Sequence, residues 1–274
     1  QFMGIKYDVD KLQNVISDFY NVTGLKVSIR DTAFGIITES IDPQGSFCTL
    51  IQAYDNCEGC RKSDLALLEE CRRSRKAQVG VCHMGLPDIA LPILRGEMII
   101  GYVILGQARG EISYEELSLL LPAGADAAVF REKYEKLTRY SPAQLESAAR
   151  MAGMLVLSIL NEDMIRMEPE ELAEAAAEYI AQSLERDLSL QTLCKVFGVS
   201  KNILYQSFRT VFNCTIAEFI TTSRINRAKN LLKEKELSIR EVAEKTGITD
   251  QAYFCRLFKQ KTGVTPLKWR EEQD

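Results

Sequence analysis

Five of the eight cysteines lie between residues 48 and 82, and the only histidine of the chain, His83, directly follows the last of them. Thiols and imidazoles ligate zinc, attack carbonyl carbons and, in the case of thiols, switch by oxidation. Cys57-x-x-Cys60 has the spacing of a zinc hook, and Cys48 with Cys82 would complete four thiolates around a zinc ion. The second pair is not itself a Cys-x-x-Cys, so half of the pattern is present. Cys57 and Cys60 are also the candidate pair for a redox switch. A Cys82-His83 nucleophile and base is disfavoured, because neighbours on a strand point to opposite faces and no second histidine exists. The remaining reading is packing and pocket lining, where buried cysteine, Cys71 included, behaves as a small hydrophobe.

The elements around these residues favour a pocket. Leu12, Val15, Ile16, Phe19 and Tyr20 repeat at helical spacing and are followed by Gly24, a good helix end. "LKVSIRD" and "FGIITES" read as a hairpin turning at Thr32-Ala33. Residues 61–76 return to helix, with Leu65, Leu68 and Cys71 sharing a face. "QVGVCHM", "DIALPIL" and "MIIGYVILGQA" then read as three strands, the last two joined at Arg95-Gly96-Glu97. Two strands, helices and three strands make an α+β layout: an antiparallel sheet with helices on one side, a PAS-like sensor able to wrap a small molecule. Cys82 and His83 fall at the end of the strand "QVGVCHM". His83 can both donate and accept a hydrogen bond to a hydroxylated effector. "IALPI" supplies an apolar wall, and Asp88 and Gln107 are further polar candidates for the effector site.

A chain of 274 residues has room for two domains, and 46% hydrophobic with 26% charged residues is ordinary globular composition. No apolar run reaches the length of a membrane span, and no basic start followed by an apolar block marks a secretion signal. The expectation is a cytoplasmic protein with reduced thiols. The formal charge of −4 conceals an asymmetry: residues 178–274 carry 16 basic and 12 acidic side chains, those upstream 18 and 26. A basic C-terminal third suggests double-stranded DNA as a partner for that third alone.

From Ser113 onward the pattern is helical. Between Pro142 and Met167, the residues Leu145, Ala149, Ala152, Leu155, Val156 and Ile159 form one stripe, which fits either a homodimer contact or packing on the chain's own sheet. Glu168-Pro169 opens a new domain. The divisions are a sensor over 1–140, a helical connector over 141–168 and a DNA-binding domain over 169–274.

In that last third, Leu190 to Phe197 reads as a short helix, Gly198-Val199 as a tight turn and Ser200 as the N-cap of a second helix. Leu193, Val196, Val199, Leu204 and Phe208 supply a small core. About 50 residues later the same grammar returns: Ile239, Val242 and Ala243, a turn at Gly247, a cap at Thr249 or Asp250, then Phe254, Leu257 and Phe258. A repeated helix-turn-helix is far more specific than one copy. Between the copies, Ile216 to Lys235 reads as one continuous helix.

With Gly247, Asp250, Tyr253, Phe254, Arg256, Phe258, Lys259, Gly263, Thr265 and Pro266 in order, and "RINRAKNLL" upstream, residues 170–270 resemble the AraC/XylS DNA-binding domain. Asn213 and Cys194 depart mildly from that pattern, where glycine and alanine are usual. The resemblance implies seven helices and two recognition helices entering successive major-groove segments. Asn202, Tyr205, Gln206, Gln251, Ala252 and Arg256 are then the base readers. Arg209 also matches a reader position but suits a phosphate better, and Lys201, Arg227, Lys259 and Arg270 are the phosphate contacts. RNA polymerase is a further candidate partner. Residues 8–135, through "CHMGLPDIALPI" and "GYVILGQ", resemble the PocR sensory domain. That resemblance implies a PAS variant sensing small hydrocarbon derivatives such as diols. The whole reads as a ligand-responsive transcription regulator; a zinc- or redox-responsive regulator is the alternative and a Cys-His enzyme the outside one.

Overall fold

The computed structural model describes residues 5–41, 46–234 and 236–272. They fall into two compact units, residues 1–95 with 99–166 and residues 96–98 with 167–274.

The first unit is built on a five-stranded sheet. Helix α1 (Val9–Thr23) begins where the Asp8 side chain accepts a hydrogen bond from the Lys11 amide, and ends at Gly24 in the left-handed conformation. Strands β2 (Lys26–Arg30) and β3 (Ile36–Glu39) form the expected antiparallel hairpin. Two helices follow, α2 (Phe47–Asp55) and α3 (Glu58–Ser74), then β4 (Gln78–Val81), β5 (Pro87–Arg95) and β6 (Met98–Gly106). The strand order is β3-β2-β6-β5-β4, with β2 antiparallel to β6 and β4 to β5. A short β1 (Ile5–Tyr7) pairs with β7 (Ile165–Met167) in a separate two-stranded sheet.

Alternation along the strands divides the sheet into two faces. Val27 and Ile29 turn inward on the face where α1 packs, and the Thr38 hydroxyl donates to Gln13 of that helix. Lys26, Ser28 and Arg30 therefore turn to the other face, beside Gly106, Ile104 and Tyr102 of β6 in register. There α3 packs through Leu68 and Cys71 against Ala90, Tyr102 and Ile104. Leu65 does not share that face; it is exposed, because the contact stripe of α3 is narrower than the apolar pattern suggests. Helix α2, missed in the sequence, begins at Ser46, whose hydroxyl accepts from the Thr49 amide.

Beyond β6, α4 (Tyr114–Ser118) and α5 (Ala127–Glu135) join Phe47, Ile51, Met84 and Leu86 in one core through Leu117, Phe130 and Tyr134. Helix α6 (Pro142–Asn161) carries the ambiguous stripe. Leu145, Ala148, Ala152, Leu155, Val156 and Ile159 are buried within the chain, with α6 against β5. Its exposed apolar residues are Met151, Met154 and Leu157.

Among the described residues the second unit has seven helices: α7 (Pro169–Gln182), α8 (Leu190–Phe197), α9 (Lys201–Phe212), α10 (Ile216–Leu231), α11 (Ile239–Lys245), α12 (Gln251–Thr262) and α13 (Pro266–Glu271). Gly198 ends α8 in the left-handed conformation, and Ser200 caps α9. In the second copy Asp250, not Thr249, is the cap, accepting from the Ala252 and Tyr253 amides. Asn213 closes α9 with φ 49°, the conformation asparagine tolerates. Helix α10 is shorter than expected; it stops at Leu231, after which Leu232 turns into the second core and the described chain leaves the helical path. Lys235 lies outside the described residues. Among the described residues no helix is long and apolar enough to cross a membrane.

Candidate functional site

A cavity of about 100 Å³ opens between the α2–α3 face and the sheet. The sheet contributes Lys26, Ser28, Arg30, Glu39, Asp88, Ile104 and Gly106, with Gln107 just beyond β6; the helices contribute Cys48, Gln52, Cys60 and Asp64. The period of two explains this lining: Lys26, Ser28 and Arg30 are alternate residues of one strand, facing the alternate residues Ile104 and Gly106 of its neighbour.

The charges at the rim are paired. Arg30 donates to Asp64 at 2.8 Å, and Lys26 approaches Glu39 at 3.1 Å. Two polar groups inside differ. The Ser28 hydroxyl is buried with no hydrogen-bond partner, on a residue only 6% exposed. Asp88 is half-buried and borders the cavity. Burial, with the charge of Asp64, raises its carboxyl from 3.8 to about 8. At neutral pH Asp88 therefore carries a proton and can donate. Asp64 is raised by burial too, against the opposing pull of Arg30. Gln107 stands at the end of β6 with φ 61°, and is 9% exposed.

The structure brings Cys82, Asp88 and Gln107 to this cavity and leaves His83 out. Strand β4 ends at Val81, so Cys82 and His83 do not alternate along a strand. They enter a turn, in which Cys82 N–H donates to Leu86 and Gly85 N–H to Cys82, with Gly85 at φ 74°. The turn delivers Cys82 to the cavity. His83 lines an adjoining groove with Ser63, Leu67, Glu70 and Gly80, and its amide donates to the Ser63 hydroxyl. Cys82 and Asp88 border both spaces.

The four-thiolate arrangement does not form. Cys48, Cys60 and Cys82 line the cavity, but Cys57 occupies the left-handed turn before α3, its thiol directed to the Gln52 carbonyl. Among the described residues no group of three or more histidine, cysteine or acidic side chains is placed to hold a metal ion. Burial pushes the Cys82 thiol up to about 12 and the Cys48 thiol well above its ordinary value. A raised thiol pKa lowers the thiolate fraction on which nucleophilic attack and oxidation depend.

In the DNA-binding unit α9 exposes Lys201, Asn202, Tyr205, Gln206 and Arg209, while Leu204 and Phe208 are buried. Helix α12 exposes Gln251, Ala252, Arg256 and Lys259 over buried Phe254 and Phe258. Arg227 is exposed on α10. Arg270 is engaged elsewhere. Its guanidinium donates to the carbonyls of Leu232 and Leu237, closing the chain between α10 and α11, so it is not a free phosphate clamp. Ile203 and Tyr253, each nearly half exposed on these two helices, lie beside the predicted readers.

Residues 7–164 match the sensory domain found in PocR, and residues 193–272 match a helix-turn-helix domain. The regulatory protein PocR of Salmonella typhimurium is 23% identical over 285 residues, covering 95% of this chain and 93% of that protein. The transcriptional activator RhaR of Salmonella schwarzengrund is 31% identical over 134 residues, 47% of this chain and 48% of that one. Among solved structures, the C-terminal domain of the response regulator AraT from Geobacillus stearothermophilus is 29% identical, covering 37% of this chain and 84% of that one at a TM-score of 0.36. The chain belongs to the family that carries the PocR sensory domain, joined here to an AraC-type helix-turn-helix domain, and it is a DNA-binding transcription regulator rather than an enzyme.

Proposed function

We propose that the first unit is a PAS-like receptor for a small, uncharged, hydroxylated effector of the diol class, bound in the cavity beside Ser28, and that its occupancy sets how strongly the second unit holds operator DNA. In the sheet's own numbering the strand order is 2-1-5-4-3, the arrangement of a PAS sheet, which supports the fold reading. The observation that carries the effector reading is the Ser28 hydroxyl: a buried polar group without a partner costs about 1–3 kcal/mol, and a ligand hydroxyl is what would satisfy it. Protonated Asp88 and Gln107 supply further donors, while Cys48, Cys60, Leu86 and Ile104 offer an apolar wall for the hydrocarbon part. The paired rim leaves no surplus charge to hold an anion.

The regulator acts in the cytoplasm, as a homodimer on double-stranded DNA, with RNA polymerase the partner that reads its occupancy. The exposed face of α6 at Met151, Met154 and Leu157 is the candidate dimer contact. In each helix-turn-helix the predicted readers contact bases, while Lys201, Arg209, Arg227 and Lys259 hold phosphates.

A thermal-shift series on the whole chain tests the effector reading, using vicinal diols of two to four carbons, the matching carboxylic acids and zinc chloride. At a hundred times Kd a bound diol adds about 2.7 kcal/mol, a readable rise in Tm. A shift with the acids or zinc and none with the diols would replace the reading.

A further inference from the structure

The two halves of the DNA-binding unit have separate apolar cores. Leu193, Leu204 and Phe208 belong to the first, and Val242, Phe254 and Phe258 to the second. Helix α10 serves both, sending Ile216 into one and Ile225, Ala228 and Leu231 into the other. The groove beside α10 is polar: Glu185, Arg186, Asp187, Ser189 and Thr221 line it together with Arg224 and Gly247.

Three elements meet at one atom in that seam. Arg224, midway along α10, donates to the carbonyl oxygen of Leu184, in the chain between α7 and α8, at 3.2 Å. Its Nε is buried without a partner, and burial holds its pKa below the ordinary arginine value. Gly247, the turn residue of the second helix-turn-helix, abuts the same oxygen. A Cβ on Gly247 would stand 2.1 Å from it and 2.9 Å from the Arg224 guanidinium, and its φ of 76° already excludes most side chains. The Leu184 side chain is 8% exposed in the first core, so its backbone is anchored there.

We propose that Arg224, Leu184 and Gly247 form a pin that fixes the spacing and phase of the two recognition helices, making Arg224 a positioning residue that selects the distance between the two DNA segments the protein accepts. The inference rests on the DNA-binding unit and not on the effector reading. Two helices entering successive major-groove segments must be about one helical turn apart, roughly 34 Å. One base pair more or less moves the second segment by about 3.4 Å and turns it by about 35°. A rigid seam rejects that displacement and a loose one follows it. A guanidinium that spends a donor on a carbonyl and hides its Nε is poorly placed to grip phosphate instead.

The test uses the whole chain and duplex DNA that it selects from a random-sequence pool, resynthesised with one base pair added or removed between the two contacted segments. The wild type should lose about tenfold or more in affinity on each altered spacing, the scale of a lost base contact. Arg224→Met keeps the apolar stem and removes the donors. It should bind the selected spacing more weakly and lose less than about threefold on the altered ones, with an unchanged salt slope. An Arg224→Met protein that keeps the full spacing penalty overturns the pin. So does one that weakens on all spacings alike with a salt slope reduced by about one, which would assign Arg224 to a phosphate. Should Arg224→Met fail to melt cooperatively, Arg224→Leu, which likewise has no donor, takes its place with the same outcomes.

Discussion

The carboxyl of Asp88 lies over Gly106 so closely that a Cβ on Gly106 would come within 2.4 Å of its Oδ1. Gly106 ends β6 opposite Lys26 in register, on the face that builds the cavity. A side chain there would occupy the space through which Asp88 would reach the proposed diol. Gly106→Ala should therefore leave a folded chain, destabilised by about 1–3 kcal/mol through overpacking, with its diol response lost. Denaturant melts and diol titrations measure the two effects. A variant that binds diol as the wild type does would remove Asp88 from the site.

The raised carboxyl of Asp88 makes the sensor's stability depend on pH with a definite sign. Between its unfolded value near 3.8 and its folded value of about 8, the folded chain holds a proton that the unfolded chain has released. Stability from this group therefore falls as pH rises through that window and levels off above it. Asp64, raised in the same direction, adds to the loss. Asp88→Asn removes the Asp88 contribution, so the denaturant midpoints of variant and wild type should converge near pH 4 and separate towards pH 8, the variant higher. Parallel curves would show that Asp88 titrates normally.

Leu155 is buried against the chain's own core, 7% exposed. Leu155→Glu places an unpaired charge there and should unfold the sensor rather than yield a folded monomer. Met154→Glu, on a residue 69% exposed, should leave a cooperatively melting chain and shift the sedimentation mass from dimer to monomer. A Met154→Glu protein of unchanged mass places the dimer contact elsewhere.

On the second recognition helix, Arg256→Ala should cost about 1–3 kcal/mol and relax preference at one operator position, whereas Lys259→Ala should weaken every sequence alike. Affinities across a set of operator variants separate the two. Equal losses on every variant from both substitutions would refute the division into reader and clamp.

The DNA-binding half was legible because its signals are local and repeated. Ser200 and Asp250 at helix starts, Gly198 and Gly247 in turns, and Phe208 and Phe258 at matching places each act within a few residues. The strands of the sensor were legible from alternation. Its candidate site was only half legible. Cys82, Asp88 and Gln107 line the cavity and His83 does not, because β4 ends one residue before Cys82 and a turn replaces the strand geometry. Ser28 carried no signal, since a serine within "KVSIR" gains meaning only when tertiary packing removes every partner from its hydroxyl. Cys57-x-x-Cys60 misled for the same reason: spacing cannot reveal that Cys57 is held in a left-handed turn.

Ser28→Ala tests the central claim most directly, because it separates stability from sensing. Removing a buried hydroxyl without a partner should raise the diol-free Tm. It should leave diol-free operator affinity at the wild-type value, and abolish the change of about fivefold or more that a saturating diol produces in the wild type. Operator binding by fluorescence anisotropy across a diol titration, read beside the melts, gives all three quantities. A Ser28→Ala protein that responds to diol as the wild type does would contradict the account, as would a wild type whose operator affinity no diol alters.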